Sequence, residues 1–421
     1  MSALSILAAA AAAQAAAQTG TPTTTPSATA PTAASGTQRT PGESDYLDLE
    51  GGLGYSTNPL LKVGSGLGRA FGRVSLHAVH SRVSERSTTL ISAYAQNVSY
   101  FGRYGSQQSL EADARHDTAV SEHTRIFVDA SGSFDKGGQL DTQIIGLPLV
   151  PPPPGSPGTP PVLLPIGSDI LSITGRVYRV AAHAGAAFAI SPRDSLTVSS
   201  GAEYVAFRGA QHSDYTTIPV SLAYDRKVSQ QTTVGARLVF QDTNYNGPAD
   251  TRVITPQATA SVHLSARLTF DGAVGVSFAR VNDGVRTTNS TGFAGEADLC
   301  LNAEKSNLCA RVSANEETPT VAGPARSVSA TVDYSRRLSA DSSFDLSAGI
   351  DHYSAPVSVI TGRTFSSATY YRAAADYNRR ISGRWFAGVN LAARKLAESG
   401  PDPDADLSAS LFIRYRFGDV R

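Results

Sequence analysis

The chain has 421 residues, of which 41% are hydrophobic and 17% are charged, and 36 basic and 36 acidic side chains give a formal net charge of zero. This balance gives no support for a nucleic-acid partner, because nucleic-acid-binding domains carry a marked basic excess. No run of about 18 apolar residues follows the N-terminal region, which excludes a helical membrane protein.

The N-terminal region predicts a segment that is removed from the mature protein. Residues 1–18 are apolar and alanine-rich, with A-x-A cleavage options near Ala17, which is typical of a secretory signal peptide. No Lys or Arg precedes Arg39, so the usual basic start is missing, and a low-complexity alanine tail is the alternative. Residues 19–43 are rich in Thr, Pro, Ala, Ser and Gly and predict a disordered leader.

From residue 44 to residue 421 the sequence alternates small or apolar residues with polar ones, and short turn segments interrupt the alternation. In the last run Leu411, Ile413 and Phe417 share one face, while Arg414 and Arg416 share the other. Successive side chains of a strand point to opposite faces. Each run therefore needs a hydrocarbon-like medium on one side and water on the other, as in a transmembrane β-barrel.

The alternation predicts an all-β fold, a transmembrane antiparallel β-barrel of about 18 strands, with 16 to 20 as the range because boundaries read from sequence are uncertain. The predicted strands are 44–55, 68–81, 87–100, 107–118, 123–135, 170–190, 194–208, 212–227, 231–245, 251–266, 268–281, 291–304, 308–318, 324–337, 342–353, 365–379, 383–396 and 406–417.

The connections between these runs predict the orientation of the barrel. Even-numbered connections are short, whereas many odd-numbered ones are longer and rich in Gly, Pro, Asn or Asp, including 56–67 and 282–290. Outer-membrane barrels have short periplasmic turns and longer extracellular loops. We therefore expect a protein of the outer membrane of a Gram-negative bacterium, surrounded by outer-membrane lipid and lipopolysaccharide.

The longest connection, 136–169, is predicted to be an extracellular loop. It holds four consecutive prolines, Pro151 to Pro154, and the apolar run Val162 to Ile166. Proline runs adopt the stiff, extended polyproline II conformation. Three interpretations stay open: an inward-folded constriction, a cap that contacts a partner, and a disordered surface loop.

The charged positions of the predicted strands alternate with the apolar ones, so they belong to the opposite face. A charge on the lipid face would cost about 2–4 kcal/mol at the bilayer midplane. We therefore expect these residues to line a polar lumen, as solvated or ion-paired wall or as a ligand track. The candidates are Glu111, Asp113, Arg115, Arg125, Asp129, Glu203, Arg237, Asp298, Arg311, Asp333, Arg372, Asp376, Arg394, Arg414 and Arg416.

The two cysteines, Cys300 and Cys309, flank a predicted turn near Lys305. If they face each other across this hairpin, Asp298 lies opposite Arg311 on the same lumen face. A cross-strand disulfide suits the oxidising periplasm, and free thiols or a redox dithiol are the alternatives. A metal site is disfavoured, because it would need further ligands and no histidine is near in sequence.

No constellation of residues predicts an enzyme, a catalytic residue, a metal site or a cofactor. Asp351 and His352 are adjacent, as are His116 and Asp117, but neighbours in a strand point to opposite faces and cannot easily act as an acid–base pair. There is no G-x-S-x-G nucleophile elbow. An outer-membrane hydrolase is therefore disfavoured.

The opening strand from Tyr46 to Leu60 is Gly-rich, reaches an aromatic at Tyr55 and continues into an Asn-containing loop. It resembles the start of the type 2 family of β-barrel porins. The C-terminal run to Phe417 resembles the terminal strand that the barrel-assembly machinery recognises, although Gly418 to Arg421 follow it. The resemblance implies a possible association with exopolysaccharide synthesis and export components, and it implies no catalytic residue.

Two functions stay open. The first is a porin-like channel for hydrophilic solutes or a secreted polysaccharide, in which inward Phe127, Tyr370 and Phe386 are candidate stacking surfaces. The second is a non-conducting scaffold or adhesin of a surface-polysaccharide or envelope complex.

Overall fold

The structure is a computed structural model of the chain. It describes residues 42–61, 67–102, 104–136, 176–208, 214–247, 249–282, 284, 286–317, 325–354, 367–398 and 403–418. The predicted signal peptide, nearly all of the predicted leader and all but the first residue of the proline-rich connection 136–169 lie outside these residues. No helix in the described part of the chain is long and apolar enough to cross a membrane.

The described residues form eighteen antiparallel strands in a single sheet. The strands are β1 Gly42–Ser56, β2 Arg69–Val83, β3 Ser87–Tyr100, β4 Ser106–Ala119, β5 Thr124–Lys136, β6 Arg176–Ala189, β7 Asp194–Arg208, β8 Tyr215–Lys227, β9 Thr232–Tyr245, β10 Asp250–His263, β11 Leu268–Asn282, β12 Thr287–Asn302, β13 Ser306–Glu317, β14 Ala325–Arg337, β15 Ser342–Tyr353, β16 Ala368–Ser382, β17 Trp385–Glu398 and β18 Asp406–Gly418.

The sheet closes on itself. Each strand pairs with the next along the chain, and β1 also pairs with β18, from Tyr46 opposite Gly418 to Ser56 opposite Ser408. A closed sheet has no free edge, so every strand can satisfy its backbone hydrogen bonds within the barrel. The prediction of an antiparallel barrel of about 18 strands is therefore confirmed.

Most predicted strands agree with the structure within a few residues. The predicted start of the twelfth strand at 291 is wrong: β12 begins at Thr287, because Thr287 to Ser290 continue the ladder opposite Asn282 to Ala279 of β11. The connection predicted as 282–290 is correspondingly shorter, so extracellular connections are not uniformly long. The predicted starts at 170, 212 and 365 precede the observed ones and fall on residues outside the described part.

One turn type recurs at the periplasmic end. In each case a serine follows an apolar residue, and its hydroxyl accepts a hydrogen bond from the backbone N–H two residues later, at 3.1–3.2 Å. Such a bond mimics a backbone turn and favours chain reversal. The serines are Ser121, Ser191, Ser229, Ser265 and Ser339. The recurring turn explains why these connections are short and regular.

Candidate functional site: the inner wall of the barrel

The outer face of the barrel is apolar. Its exposed side chains include Leu53, Val74, Leu222 and Val276, which alternate in each strand with buried or half-buried inward residues. Aromatic side chains concentrate towards both ends of the strands. Those near the periplasmic end are Phe188, Tyr224, Trp385 and Phe417, and those nearer the extracellular end are Tyr55, Tyr178, Tyr204 and Phe278.

An apolar band between two aromatic girdles, around a closed sheet of an even number of strands, matches the surface that outer-membrane barrels present to lipid. The protein is an outer-membrane β-barrel. The aromatic side chains of its periplasmic girdle also contact one another. The ring centroids of Trp385 and Tyr415 lie 4.8 Å apart and those of Tyr415 and Phe417 lie 4.6 Å apart, both edge to face.

The inner face carries the charge. All fifteen lumen-lining candidates occupy inward positions of the alternation, opposite the exposed apolar side chains. Several form ion pairs across the wall: Arg311 with Asp298, Arg237 with Glu296, and Arg125 with Asp117. Whether any of these residues contacts a solute stays a prediction. As wall residues, they give the lumen a charged, hydrogen-bonding surface.

A group of charged residues lies at the seam where β18 meets β1. We call it the arginine belt: Arg414, Arg416, Asp48, Glu50 and Arg73. Asp48 accepts hydrogen bonds from Nε and Nη2 of Arg416, both at 2.7 Å, and lies 3.9 Å from Nε of Arg414. Glu50 accepts a 2.6 Å bond from Nη2 of Arg73. Buried charges need such partners, because an unpaired charge away from water is costly.

Aromatic rings flank the arginine belt. The Arg416 guanidinium lies 4.2 Å from the Tyr46 ring centroid and 5.4 Å from that of Phe386, and Arg414 lies 5.0 Å from Phe386. A guanidinium over a ring face gains cation–π stabilisation. Phe386, a candidate stacking surface in the sequence, is therefore occupied by the protein's own arginines.

Four inward, buried residues at this seam are not among the candidates read from the sequence: Asp48, Glu50, Arg73 and His77. A signal existed in the opening strand, where Asp48, Glu50, Gly52 and Gly54 alternate with Leu49, Leu53 and other outward residues.

A second charged group anchors the first extracellular connection at the barrel mouth. We call it the mouth latch: Arg394, Asp406, Ser56, Asn58 and Pro59. The Asp406 carboxylate accepts bonds from the Ser56 hydroxyl at 2.6 Å, the Asn58 backbone N–H at 2.8 Å and Arg394 Nε at 3.0 Å. Arg394 Nη2 also donates to the Pro59 carbonyl at 3.3 Å.

The mouth latch turns the connection inward. Leu61 packs on the inward side chains Tyr370 and Leu396, and all three are buried. The Leu61 backbone has a φ of 47°, in the left-handed region that non-glycine residues rarely adopt. Its N–H bonds to the Asn58 carbonyl at 3.0 Å, closing a tight turn. The first residues of this connection therefore lie on the inner wall and take up lumen space.

The wall of β4 to β6 is more acidic. Glu111 and Asp113 follow one another on the inward face of β4, and Asp129 of β5 pairs with His183 of β6 at 2.9 Å. Arg179 and Glu203 form another pair at 2.9 Å. The lumen therefore presents an acidic sector as well as an arginine-rich one.

At the extracellular rim, Asp214 holds together the two ends of the connection between β7 and β8. It accepts a bond from the Phe207 backbone N–H at 2.8 Å and pairs with Arg208 at 2.9 Å. Partial burial alone would raise the pKa of Asp214, but the bonds from Phe207 and Arg208 outweigh it and hold the pKa below its usual value. Asp214 therefore stays ionised at neutral pH.

Within the described residues, Glu43, Asp45 and His80 form a group whose candidate ligand atoms lie within 4.8 Å of one another. They lie on the outward face near the periplasmic end, and His80 Nδ1 is already 2.6 Å from Asp45. Exposed groups of this kind are common without a metal ion. We assign no role to this group.

The predicted hairpin register around the cysteines agrees with the structure: Cys300 lies opposite Cys309, and Asp298 opposite Arg311. A disulfide joins the two cysteines on the inward face. The bond closes a short hairpin at the periplasmic end, where β12 meets β13.

We expect alkylation to report this disulfide. Without reductant, Cys300 and Cys309 should both resist iodoacetamide in the unfolded protein, and after reduction both should react, as measured by mass spectrometry. In the chain-entropy model a loop of about ten residues contributes about 2.5 kcal/mol. Complete alkylation without reductant would contradict the assignment.

Comparison with known proteins gives only distant likenesses. No protein-family model matches the chain, and no curated protein matches it. Among solved structures, Pseudomonas aeruginosa OccK2 (OpdF) is 9% identical with a TM-score of 0.44, over 90% of this chain and 98% of that chain. The apoprotein form of the FrpB iron transporter from Neisseria meningitidis is 9% identical with a TM-score of 0.42, over 89% of this chain and 81% of that chain.

A third structure, the ferric preacinetobactin receptor BauA from Acinetobacter baumannii, is 10% identical with a TM-score of 0.42, over 89% of this chain and 81% of that chain. The closed strand register and the apolar outer face of the barrel define its fold and its place in the membrane.

Proposed function

We propose that this protein is a porin-like channel that lets hydrophilic solutes, among them segments of a secreted polysaccharide, cross the outer membrane. The observation that carries the proposal is the inner wall: around the whole barrel, polar and charged side chains alternate with outward apolar ones. A barrel of 16 to 18 strands is wide enough to leave an aqueous channel.

Because the wall charges are paired, the lumen is better suited to the passage of a solute than to its tight binding. Ion pairs such as Arg73–Glu50 and Arg372–Asp351 neutralise much of the local charge. At these pairs a passing solute meets opposite charges side by side, so they offer no net charge that would hold an ion tightly. Weak, multiple contacts of this kind suit conduction, because a solute must be able to leave as well as enter.

The partners follow from the two surfaces. The apolar outer band is suited to outer-membrane lipid and lipopolysaccharide, and the C-terminal strand ending near Phe417 is suited to the barrel-assembly machinery. Polysaccharide export components on the periplasmic side would be expected only if the solute is a polysaccharide.

Planar-bilayer recording tests the channel. The purified barrel should give stable single-channel steps in KCl that are absent from bilayers treated with detergent alone. A heat-denatured sample of the same preparation is the matched control and should be silent. If the folded protein, verified by its compact migration on an unheated gel, gives no steps, the channel proposal fails and the scaffold or adhesin role takes its place.

A further inference from the structure

A row of polar and positively charged side chains crosses the outer face of the barrel at its extracellular end. Its members occupy outward positions on five consecutive strands, β3 to β7, and each lies directly opposite the next in register. They are Asn97, Gln108, Lys136, Arg176 and Arg208. Amide, ammonium and guanidinium groups all carry N–H donors. We call this set the donor row.

The donor row has an excess of positive charge. Lys136, Arg176 and Arg208 are cross-strand neighbours, and like charges directly opposite one another destabilise a sheet. Asp214 neutralises Arg208, whose Nη1 lies 2.9 Å from the Asp214 carboxylate. In the described part of the chain neither Lys136 nor Arg176 forms an ion pair. Two positive charges therefore remain side by side, and an anion bound between them would relieve their repulsion.

A row of apolar side chains lies next to the donor row, one outward position closer to the membrane centre. Its members are again opposite one another in register: Ala95, Leu110, Phe134 and Tyr178. The ring centroids of Phe134 and Tyr178 lie 5.0 Å apart. Tyrosine is enriched at the level of the lipid headgroups. The donor row therefore lies at the headgroup level of the extracellular leaflet, and the apolar row lies where the acyl chains begin.

Small residues occupy the next outward positions of β3, β4 and β5. Ala93, Ala112 and Gly132 are opposite one another in register. A Cβ at Gly132 would lie 3.9 Å from the nearest atom beyond its chain neighbours, so the surface beside it is open. This part of the outer face is therefore lower than Leu110 and Phe134 next to it, and it leaves room for acyl chains.

The occupant must match both the headgroup level and the acyl level. It must carry anionic groups where the donor row lies and several acyl chains below them, and it must reside in the extracellular leaflet. Lipid A, the membrane anchor of lipopolysaccharide, has this chemistry, because its sugar headgroup carries phosphate groups and acyl chains. Guanidinium and ammonium groups bind phosphate through charge-assisted hydrogen bonds. A zwitterionic phospholipid fits less well, because its own ammonium group would add a positive charge beside the row.

We propose that the donor row binds the phosphate groups of lipid A, with Lys136 and Arg176 as the phosphate ligands. Arg208, held by Asp214, bounds the site on one side, and Gln108 on the other side donates to hydroxyl groups of the lipid A sugars. The acyl chains lie over the apolar row. This inference concerns the outer face and goes beyond the proposed channel, since binding needs only the folded barrel.

Native mass spectrometry of the detergent-solubilised barrel tests the site. Diphosphoryl lipid A is titrated into the protein at low ionic strength, and the fraction of barrels that carry one lipid gives the dissociation constant. Wild-type protein should bind lipid A saturably and more tightly than phosphatidylethanolamine. Lys136→Gln and Arg176→Gln should each raise the dissociation constant about fivefold, and the double variant about 25-fold, because each cation beside an anionic lipid contributes about that factor.

Arg252→Gln is the matched control. Arg252 is also an outward arginine at the extracellular end, on β10, but its Nε lies 3.0 Å from the Asp242 carboxylate. The variant removes the same charge from the same face of the barrel and should leave the dissociation constant unchanged. Compact migration on an unheated gel verifies folding of every variant. Because Lys136 and Arg176 point outward and make no ion pair within the described residues, we expect their variants to fold.

The outcomes separate this site from the channel. Weaker lipid A binding in both donor-row variants, with Arg252→Gln unchanged, supports the site whether or not the barrel conducts. An unchanged double variant, or equal weakening by Arg252→Gln, overturns it. Equal affinity for phosphatidylethanolamine would identify a general lipid surface, and displacement of lipid A by millimolar inorganic phosphate would identify a site for free phosphate, so either result also overturns the proposal. A silent barrel in the planar-bilayer recording overturns the channel alone.

Discussion

Replacing Asp406 with alanine is expected to destabilise the barrel by about 3–5 kcal/mol and to enlarge its open-channel current. The variant leaves Arg394 buried without its carboxylate, and an uncompensated buried charge is among the costliest defects in a folded protein. Asp406 is fully buried and also holds Ser56 and the Asn58 backbone. Its loss should therefore release the inward start of the first extracellular connection.

Guanidinium unfolding and single-channel conductance measure the two effects. Asp404→Ala is the matched control, because Asp404 has the same side chain two positions away but is exposed, so both readouts should stay at their wild-type values. If Asp406→Ala does not fold, the double variant Arg394→Ala with Asp406→Ala removes the orphaned charge and should recover part of the stability. Unchanged current in a folded latch variant would contradict a role of Thr57 to Leu61 in narrowing the lumen.

What the sequence could predict follows from alternation within a strand. Outward apolar and inward charged residues have a period of two, so the face of each candidate, from Glu111 to Arg416, is readable without knowing its neighbours. The register of the Cys300–Cys309 hairpin is also local, because a short turn fixes which residues lie opposite one another.

The sequence could not predict the side-chain contacts that form only when the barrel closes. Asp48 and Arg416 are 368 residues apart in the sequence and pair only because β1 meets β18. No local sequence pattern predicts that pairing. The same holds for the mouth latch, where Asp406 binds Asn58. The two faces of strand 87–100 cannot be told apart from its sequence, because small residues such as Ala93 and Ala95 face outward and Tyr94 faces inward. In that strand the tyrosine packs beside His77.

The arginine belt leads to the second large expected effect, a change of ion selectivity. Asp48→Asn removes one negative charge from the lumen while both Arg414 and Arg416 remain, so the wall becomes locally more positive. A unit charge about 8 Å from a passing ion in water is worth about 0.5 kcal/mol. Its loss lowers the energy of chloride and raises that of potassium by this amount, so the chloride-to-potassium permeability ratio should rise by about fivefold. In a KCl gradient the reversal potential should move towards the chloride equilibrium potential.

The opposite substitution reverses the sign. Arg416→Gln leaves the Asp48 carboxylate in excess, so the reversal potential should move towards the potassium equilibrium potential, and Asp48→Asn combined with Arg416→Gln should return close to the wild-type value. Asp45→Asn is the control on the same strand, because Asp45 points outward and faces no permeating ion. If Asp48→Asn and Asp45→Asn shift the potential equally, the change reflects surface charge, and the arginine belt does not line the ion path. If the β18–β1 seam lines a conducting lumen, only the Asp48 and Arg416 variants should shift the reversal potential, and the two shifts should have opposite signs.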